Sequence, residues 1–355
     1  MAAVCLAALA LSFASLYVIE RPFRQYARPM QVNRRLVVTA ALAMLAAFAG
    51  GLLIVAKHGF PSRIDAVAAR FLDAEHEKFL HPYECLSVGQ TIVPPSAACR
   101  LGRADVEPHT LLWGDSHSLA TALALEQVAQ RAGSAVLYAA AADCPVGIGF
   151  SIDAASGPSF VSDAAYQYCQ QYNQQMLQLA LSTPGIHAVV LSSRWTNWRM
   201  GEPGTRSESP VDIRLRNASG VAPTMAANKA IFVQGFEALV KKLVGAGKTV
   251  WIVGPLPEPS VRVPRALFIE HVSFDKTGLD IPVYDFAKRH MAILDVLSDL
   301  SQRYPIKLLW PHRVLCNAST CPIVEDGHPM FLDDNHLSKY AAAKTSPMYE
   351  AVIAH

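Results

Sequence analysis

Between Leu36 and Ala56 the chain reads LVVTAALAMLAAFAGGLLIVA, a run without a single charged side chain. Roughly 20 such residues, rising 1.5 Å each as a helix, are what crossing the hydrocarbon core of a bilayer takes. A helix satisfies all its backbone polar groups internally, so the run is predicted to be a transmembrane helix with the rest of the chain divided between the two sides. An earlier uncharged run, Ala2 to Ile19, is marginal in length and is read as a second span. It lacks a basic leader and ends in YVIERPF rather than in small residues, which argues against a cleaved signal. Between the two runs lie Arg21, Arg24, Arg28, Arg34 and Arg35 with no acid among them, the pattern of a short cytoplasmic loop. Everything after Ala56 is then expected outside the cytosol.

The cysteines bear on that compartment. Cys5 falls in the first apolar run, and the other six form neighbours in sequence: Cys85 with Cys99, Cys144 with Cys169, Cys316 with Cys321. An even number in an oxidising compartment reads as disulfides, with these local pairings favoured; reduced, buried thiols are the alternative. No CxxC is present, so a zinc site is not expected. Net charge is only +2 and the basic residues beyond the short loop are scattered, which excludes a nucleic-acid groove from the expectations.

Three segments follow from the patterning: a membrane segment, 1–57; a connector, 58–108, with an amphipathic helix in PSRIDAVAARFLDAEHEKFL and a turn-rich stretch carrying Cys85 and Cys99; and a large domain, 109–355. In the last, short apolar runs at 110–113, 135–140, 187–193, 249–254 and 306–310 are predicted strands. Helical patterns are expected near 117–131, 163–181, 227–245 and 283–302, with a final helix from Ser338 to Ile353. Strand and helix in repetition, with strands apolar throughout, imply a mainly parallel sheet covered on both faces, a three-layer α/β/α domain. Two polar, turn-rich excursions, 194–226 and the segment after 254, leave strand ends and are expected to wall a ligand site.

The chemistry sits in LLWGDSHS, 111–118, and DDNHLS, 333–338. Ser116 is placed where the first strand turns into a helix, with amides nearby that can stabilise an oxyanion. A serine needs a base at neutral pH. His336 is the candidate, and Asp333, three residues earlier, shares its face and can orient the ring. Other readings stay open: Ser116 as an N-cap, or Asp333, Asp334, His336 and nearby His328 as metal ligands, although a hard cation would ask for more oxygens. No metal is expected. The G-x-S-x-G elbow is absent because Ser118 replaces the second glycine, and neither a P-loop nor GxGxxG occurs.

GDSHS near the start of an α/β domain and DDNHLS near its end resemble the first and last blocks of the SGNH, or GDSL-like, hydrolase family, which is flavodoxin-like in fold. The resemblance implies Ser116 as nucleophile and Asp333 and His336 as its partners. YVIERPFRQ, 17–25, resembles the end of the last core helix of the acyltransferase-3 membrane family, some members of which carry one more helix and a periplasmic SGNH domain. That combination is similar to bacterial O-acetyltransferases acting on lipopolysaccharide O-antigen, peptidoglycan or exported polysaccharide. It implies extracytoplasmic acyl transfer to a cell-envelope glycan from an inner-membrane anchor. Acetyl-CoA would be the ultimate donor, reached through a membrane acyltransferase domain, with no cofactor bound by the SGNH domain. About ten helices would make such a membrane domain and only its end is found here, so a gene fragment, a late start or a module with a separate membrane partner is expected. A carbohydrate acetyl esterase is the alternative, and a noncatalytic glycan-binding module the alternative of another class. The family's middle blocks are not clean: SSRWTNW, 192–198, offers Arg194, Trp195 and Asn197 as oxyanion or substrate residues, and CPVGIG offers Gly147.

Overall fold

The computed structural model describes residues 2–21, 34–60, 64–77, 84–88, 93–153, 163–200, 213–273 and 278–354. They fall into two compact units, Met1–Ile64 and Asp65–His355. In the first, α1 (Ala2–Ser15) continues as a π-helical turn, Leu16–Glu20, and α2 spans Arg34–Ala56. Among the described residues only α2 is long and apolar enough to cross a membrane, over Val37–Ala56. Of the two expected spans, one is supported among the described residues. The reason is length: the apolar part of the first helix, Ala8–Val18, is shorter than the run of roughly 20 residues that a ~30 Å core needs. Arg24, Arg28 and the last four residues of the acyltransferase-3-like stretch, 22–25, lie outside the described residues.

The second unit begins with α3 (Ala66–Glu75), capped by Asp65, whose carboxylate accepts the Val67 and Ala68 N–H groups at 3.0 and 2.8 Å. Its described strands are β1 (Leu86–Ser87), β2 (Cys99–Gly102), β3 (Thr110–Gly114), β4 (Ala135–Ala141), β5 (Ser151–Ile152), β6 (Ala188–Ser192), β7 (Leu215–Asn217), β8 (Gly220–Val221), β9 (Thr249–Val253), β10 (Ile281–Pro282), β11 (Ile306–Leu309), β12 (Thr320–Cys321), β13 (Val324–Glu325) and β14 (His328–Pro329). The seven-stranded sheet runs β1-β4-β3-β6-β9-β11, with β2 on the same edge of β4 as β1. All its pairs are parallel except β2 with β4. Residues 58–108 thus supply, besides α3, two strands of the sheet rather than only a connecting path.

The helices are α4 (Ser118–Ala132), α5 (Asp163–Ser182), α6 (Trp195–Met200), α7 (Met225–Gly245), α8 (Val263–Ser273), α9 (Val283–Arg303), α10 (His312–Leu315), α11 (Lys339–Lys344) and α12 (Glu350–Ile353). Side chains alternate across each strand, so the sheet separates two cores. Leu112, Tyr138, Val190, Trp251 and Leu309 pack on one face with Leu125 and Val128 of α4 and Leu267 of α8. Leu111, Trp113, Val189, Leu191 and Ile252 pack on the other with Met176 of α5, Phe232 and Phe236 of α7, and Leu297 of α9. This is the three-layer α/β/α architecture. The expected final helix is broken instead into α11, a 3₁₀ turn at Ser346–Tyr349 and α12, because Pro347 cannot continue an α-helix.

Cys85–Cys99, Cys144–Cys169 and Cys316–Cys321 are disulfides, and Cys5 is free. The register aligns Gly114, Ala140, Ser192, Val253 and Leu309 along one edge of the sheet. The loops that follow these strands therefore emerge together.

Candidate active site

At that edge β3 turns into α4 through Asp115, Ser116 and His117. Gly114 is required: a Cβ there would lie 2.0 Å from the Ser192 carbonyl oxygen and 2.5 Å from Ser118 Cβ. The turn is tied down by buried Asp115. One of its oxygens accepts the His117 N–H at 2.9 Å; the other accepts the Ser193 hydroxyl at 2.5 Å and the Arg194 N–H at 2.8 Å, both from the loop after β6. Asp115 thus holds the turn together. Ser116 is left to point its hydroxyl at His336 Nε2, 2.9 Å away.

His336 Nδ1 lies 2.8 Å from Asp333 Oδ2. The other Asp333 oxygen accepts the backbone N–H groups of Asn335 and His336, each at 2.8 Å, so the turn that carries the imidazole is built around the carboxylate. With Nδ1–H donated to Asp333, the Nε2 lone pair accepts from Ser116. Burial would lower the His336 pKa, but the Asp333 charge and hydrogen bond outweigh it and hold it above the ordinary imidazole value. Burial pushes Asp333 up, yet the His336 charge and the two N–H donors bring it well below the usual carboxylate range. Next to this pair, buried His117 sits with its ring centroid 5.1 Å from that of His336 and Nε2 3.0 Å from Asn335 Oδ1. Burial, then the charge of His336, lower its pKa to about 4, so it is neutral in the working range.

Ser116, His117, Asp333 and His336 line a cavity of about 400 Å³ together with Leu86, Val88, Leu119, Ala120, Ala142, Leu256, Leu332 and Leu337. Glu75 and Glu77 of the α3 end, Asp143 and Arg262 add charge to its wall. The excursion after residue 254 therefore contributes through Leu256 and Arg262. The excursion at 194–226 contributes no lining residue among those described, and 201–212 lie outside them.

None of the middle-block candidates is among the residues that line the cavity. Gly147 is a packing glycine, since a Cβ would meet the Phe150 ring at 2.6 Å, and it does not line the cavity. Trp195 is fully buried, donates Nε1–H to the Val253 carbonyl at 2.7 Å and packs on Phe236. Arg194 pairs with Glu258 through Nε at 3.1 Å, and Glu258 also holds Arg289 at 2.7 Å. Burial would raise the Glu258 pKa, but the two guanidinium groups keep it far below the usual carboxylate value. Asn197 is buried, its N–H bonded to the Arg194 carbonyl, and its Oδ1 finds no partner among the described residues.

What motif reasoning missed is the turn after β4. Ala142 and Asp143 line the cavity, and Asp143 adopts φ +56°, a left-handed conformation that Asp tolerates better than most side chains. That tolerance, in a residue two positions after the end of a strand, is a signal sequence could have offered. No group of three or more His, Cys, Asp or Glu side chains able to hold a metal is found among the described residues.

A doubly wound, mainly parallel sheet with Ser, His and Asp assembled at its carboxyl edge defines the class of SGNH-like α/β domains. The chain belongs to the family described as the SGNH domain fused to AT3 domains, matched over residues 84–351. Among solved structures it shares its fold with the periplasmic domain of the lipopolysaccharide acetyltransferase of Salmonella ser. Paratyphi A. The two are 17% identical with a TM-score of 0.53, covering 83% of this chain and 99% of that one. No curated protein matches the sequence.

Proposed function

We propose that this chain is a membrane-anchored, extracytoplasmic enzyme that carries an acyl group, acetyl by family resemblance, on Ser116 and transfers it to a hydroxyl of a cell-envelope glycan. The observation that carries the reading is the Ser116 Oγ to His336 Nε2 contact of 2.9 Å, backed by Asp333 at 2.8 Å. Ser116 Oγ attacks the donor carbonyl while Nε2 takes its proton, and Asp333 steadies the imidazolium. Collapse of the tetrahedral adduct releases the protonated donor group and leaves the serine ester. The glycan hydroxyl then gives its proton to Nε2, attacks the ester carbonyl and departs acylated, restoring the serine hydroxyl. Backbone amides at Ser116 and in the Ala142–Asp143 turn are the nearest candidates for the oxyanion.

Family membership supports the glycan acceptor, as does the fold shared with a domain whose name declares lipopolysaccharide acetylation. Acetyl-CoA as ultimate donor, a separate or further acyltransferase-3 membrane domain that hands the acetyl group across, and an inner-membrane location with a periplasmic domain belong to the same proposal. Attack by water in place of the sugar would make the protein an esterase, with the same residues in the same roles.

The test uses the full chain in detergent with p-nitrophenyl acetate. Ser116→Ala should lower acetate release by about 10³-fold or more, as loss of a serine nucleophile does. Equal release by both proteins would remove Ser116 from the mechanism. Added glycans that become acetylated identify a transferase, and acetate alone an esterase.

A further inference from the structure

Among the described residues the cavity wall holds one guanidinium, that of Arg262, and no hydrogen bond or ion pair of its side chain is found. Arg194, Arg289 and Arg303 each grip a carboxylate. Arg262 is exposed and pairs with none of the described residues, although Glu75, Glu77 and Asp143 line the same cavity. Its position is nevertheless fixed. The next residue, Val263, opens α8, is fully buried and donates its N–H to the Asp333 carbonyl at 3.2 Å. The Arg262 backbone is thus held two links from the His336 partner, and its guanidinium is left over among the described residues. The start of α8 adds its own partial positive charge at the same place.

The acids of the wall are not equivalent to it. Glu77 already accepts the Lys339 N–H at 2.8 Å, and Asp143 has contacts of its own, which leaves Glu75 as the acceptor facing the cavity. Over a floor of Leu119, Leu256 and Leu332 the cavity therefore offers a donor fork on one residue and a carboxylate acceptor on another. A sugar ring with hydroxyls for Glu75 and an anionic substituent for Arg262 would satisfy both. A guanidinium is the side chain best matched to paired oxygens of a carboxylate or phosphate. Building on the glycan reading above, we propose that Arg262 selects acceptor sugars carrying an anionic oxygen group, a carboxylate or a phosphate.

The test measures binding, so its failure is separable from failure of the Ser116 chemistry. Methyl β-glucuronide, glucose 1-phosphate and methyl β-glucoside are titrated against the full chain in detergent and followed by ligand-detected NMR. At least one of the two anions should bind about tenfold more tightly than the neutral glucoside, and which one does tells a uronic acid from a phosphorylated sugar. Arg262→Gln should erase the preference, Arg262→Lys should restore part of it because the charge returns without the fork, and 0.5 M salt should shrink it. Equal affinities for all three sugars in the wild type, or a preference that survives in Arg262→Gln, would overturn the proposal.

Discussion

His336 can take a proton from Ser116 only while its Nε2 is unprotonated. The Asp333 charge holds the imidazole above its ordinary value of 6.5, so kcat/KM for p-nitrophenyl acetate should rise with pH through a midpoint above 6.5. Asp333→Asn removes the charge that raises the midpoint, and the limb should move down in pH. The rate at its plateau should fall about 10³–10⁴-fold, because the ring loses the partner that fixes its tautomer. A profile unmoved by this substitution would mean that the titrating group is not His336. His117 does not confuse the reading, since it titrates near 4. At this scale the Ser116, Asp333 and His336 arrangement was legible because each half of it is a short motif whose spacing sets its own geometry. Gly147 and Trp195 were not. Their surroundings are Phe150, Phe236 and the end of β9, and sequence order does not bring those together.

Three loops meet behind the nucleophile turn, and charge binds them. Asp115 after β3 holds Ser193 and Arg194 after β6; Arg194 holds Glu258 after β9; Glu258 holds Arg289 on α9. Only 2% of the Glu258 side chain is exposed, so the carboxylate is compensated by those two arginines and not by water. Glu258→Gln should cost about 3–5 kcal/mol in urea denaturation, the range for removing one partner of a buried ion pair. A loss under about 1 kcal/mol, typical of exposed pairs, would show that solvent already screens the network. The strands were legible as elements because burial on both faces writes them as unbroken apolar runs. The role of residues 58–108 was not: β1 and β2 are short, and what makes them strands is the free edge of β4, whose paired residues lie 54 positions beyond β1 and 33 to 39 beyond β2. The broken last helix was written in Pro347, but the apolar periodicity around it concealed the stop.

For the molecule as a whole, the decisive chemistry is that of its seven cysteines. A disulfide such as Cys144–Cys169, closing a separation of 25 residues, stabilises a domain by about 2–4 kcal/mol, and such bonds persist where thiol reductants are absent. The six bonded cysteines all lie in the unit that follows the spanning helix, and Cys5, in α1, has no partner. The arginines that precede Leu36 in the sequence and the disulfides after Ala56 point the same way, to an extracytoplasmic sheet domain. The two arguments rest on different residues and different physics, so one experiment can set them against each other. Cells are lysed in denaturant under acid to quench thiol exchange, and the chain is then treated with a maleimide-linked polymer that adds visible mass at each free thiol. Without reductant the chain should gain one adduct, at Cys5; after reduction it should gain seven. A chain that takes seven adducts before reduction has folded in a reducing compartment. The extracytoplasmic assignment would then fall, and with it the cell-envelope acceptor, while the geometry at Ser116 would stand untouched.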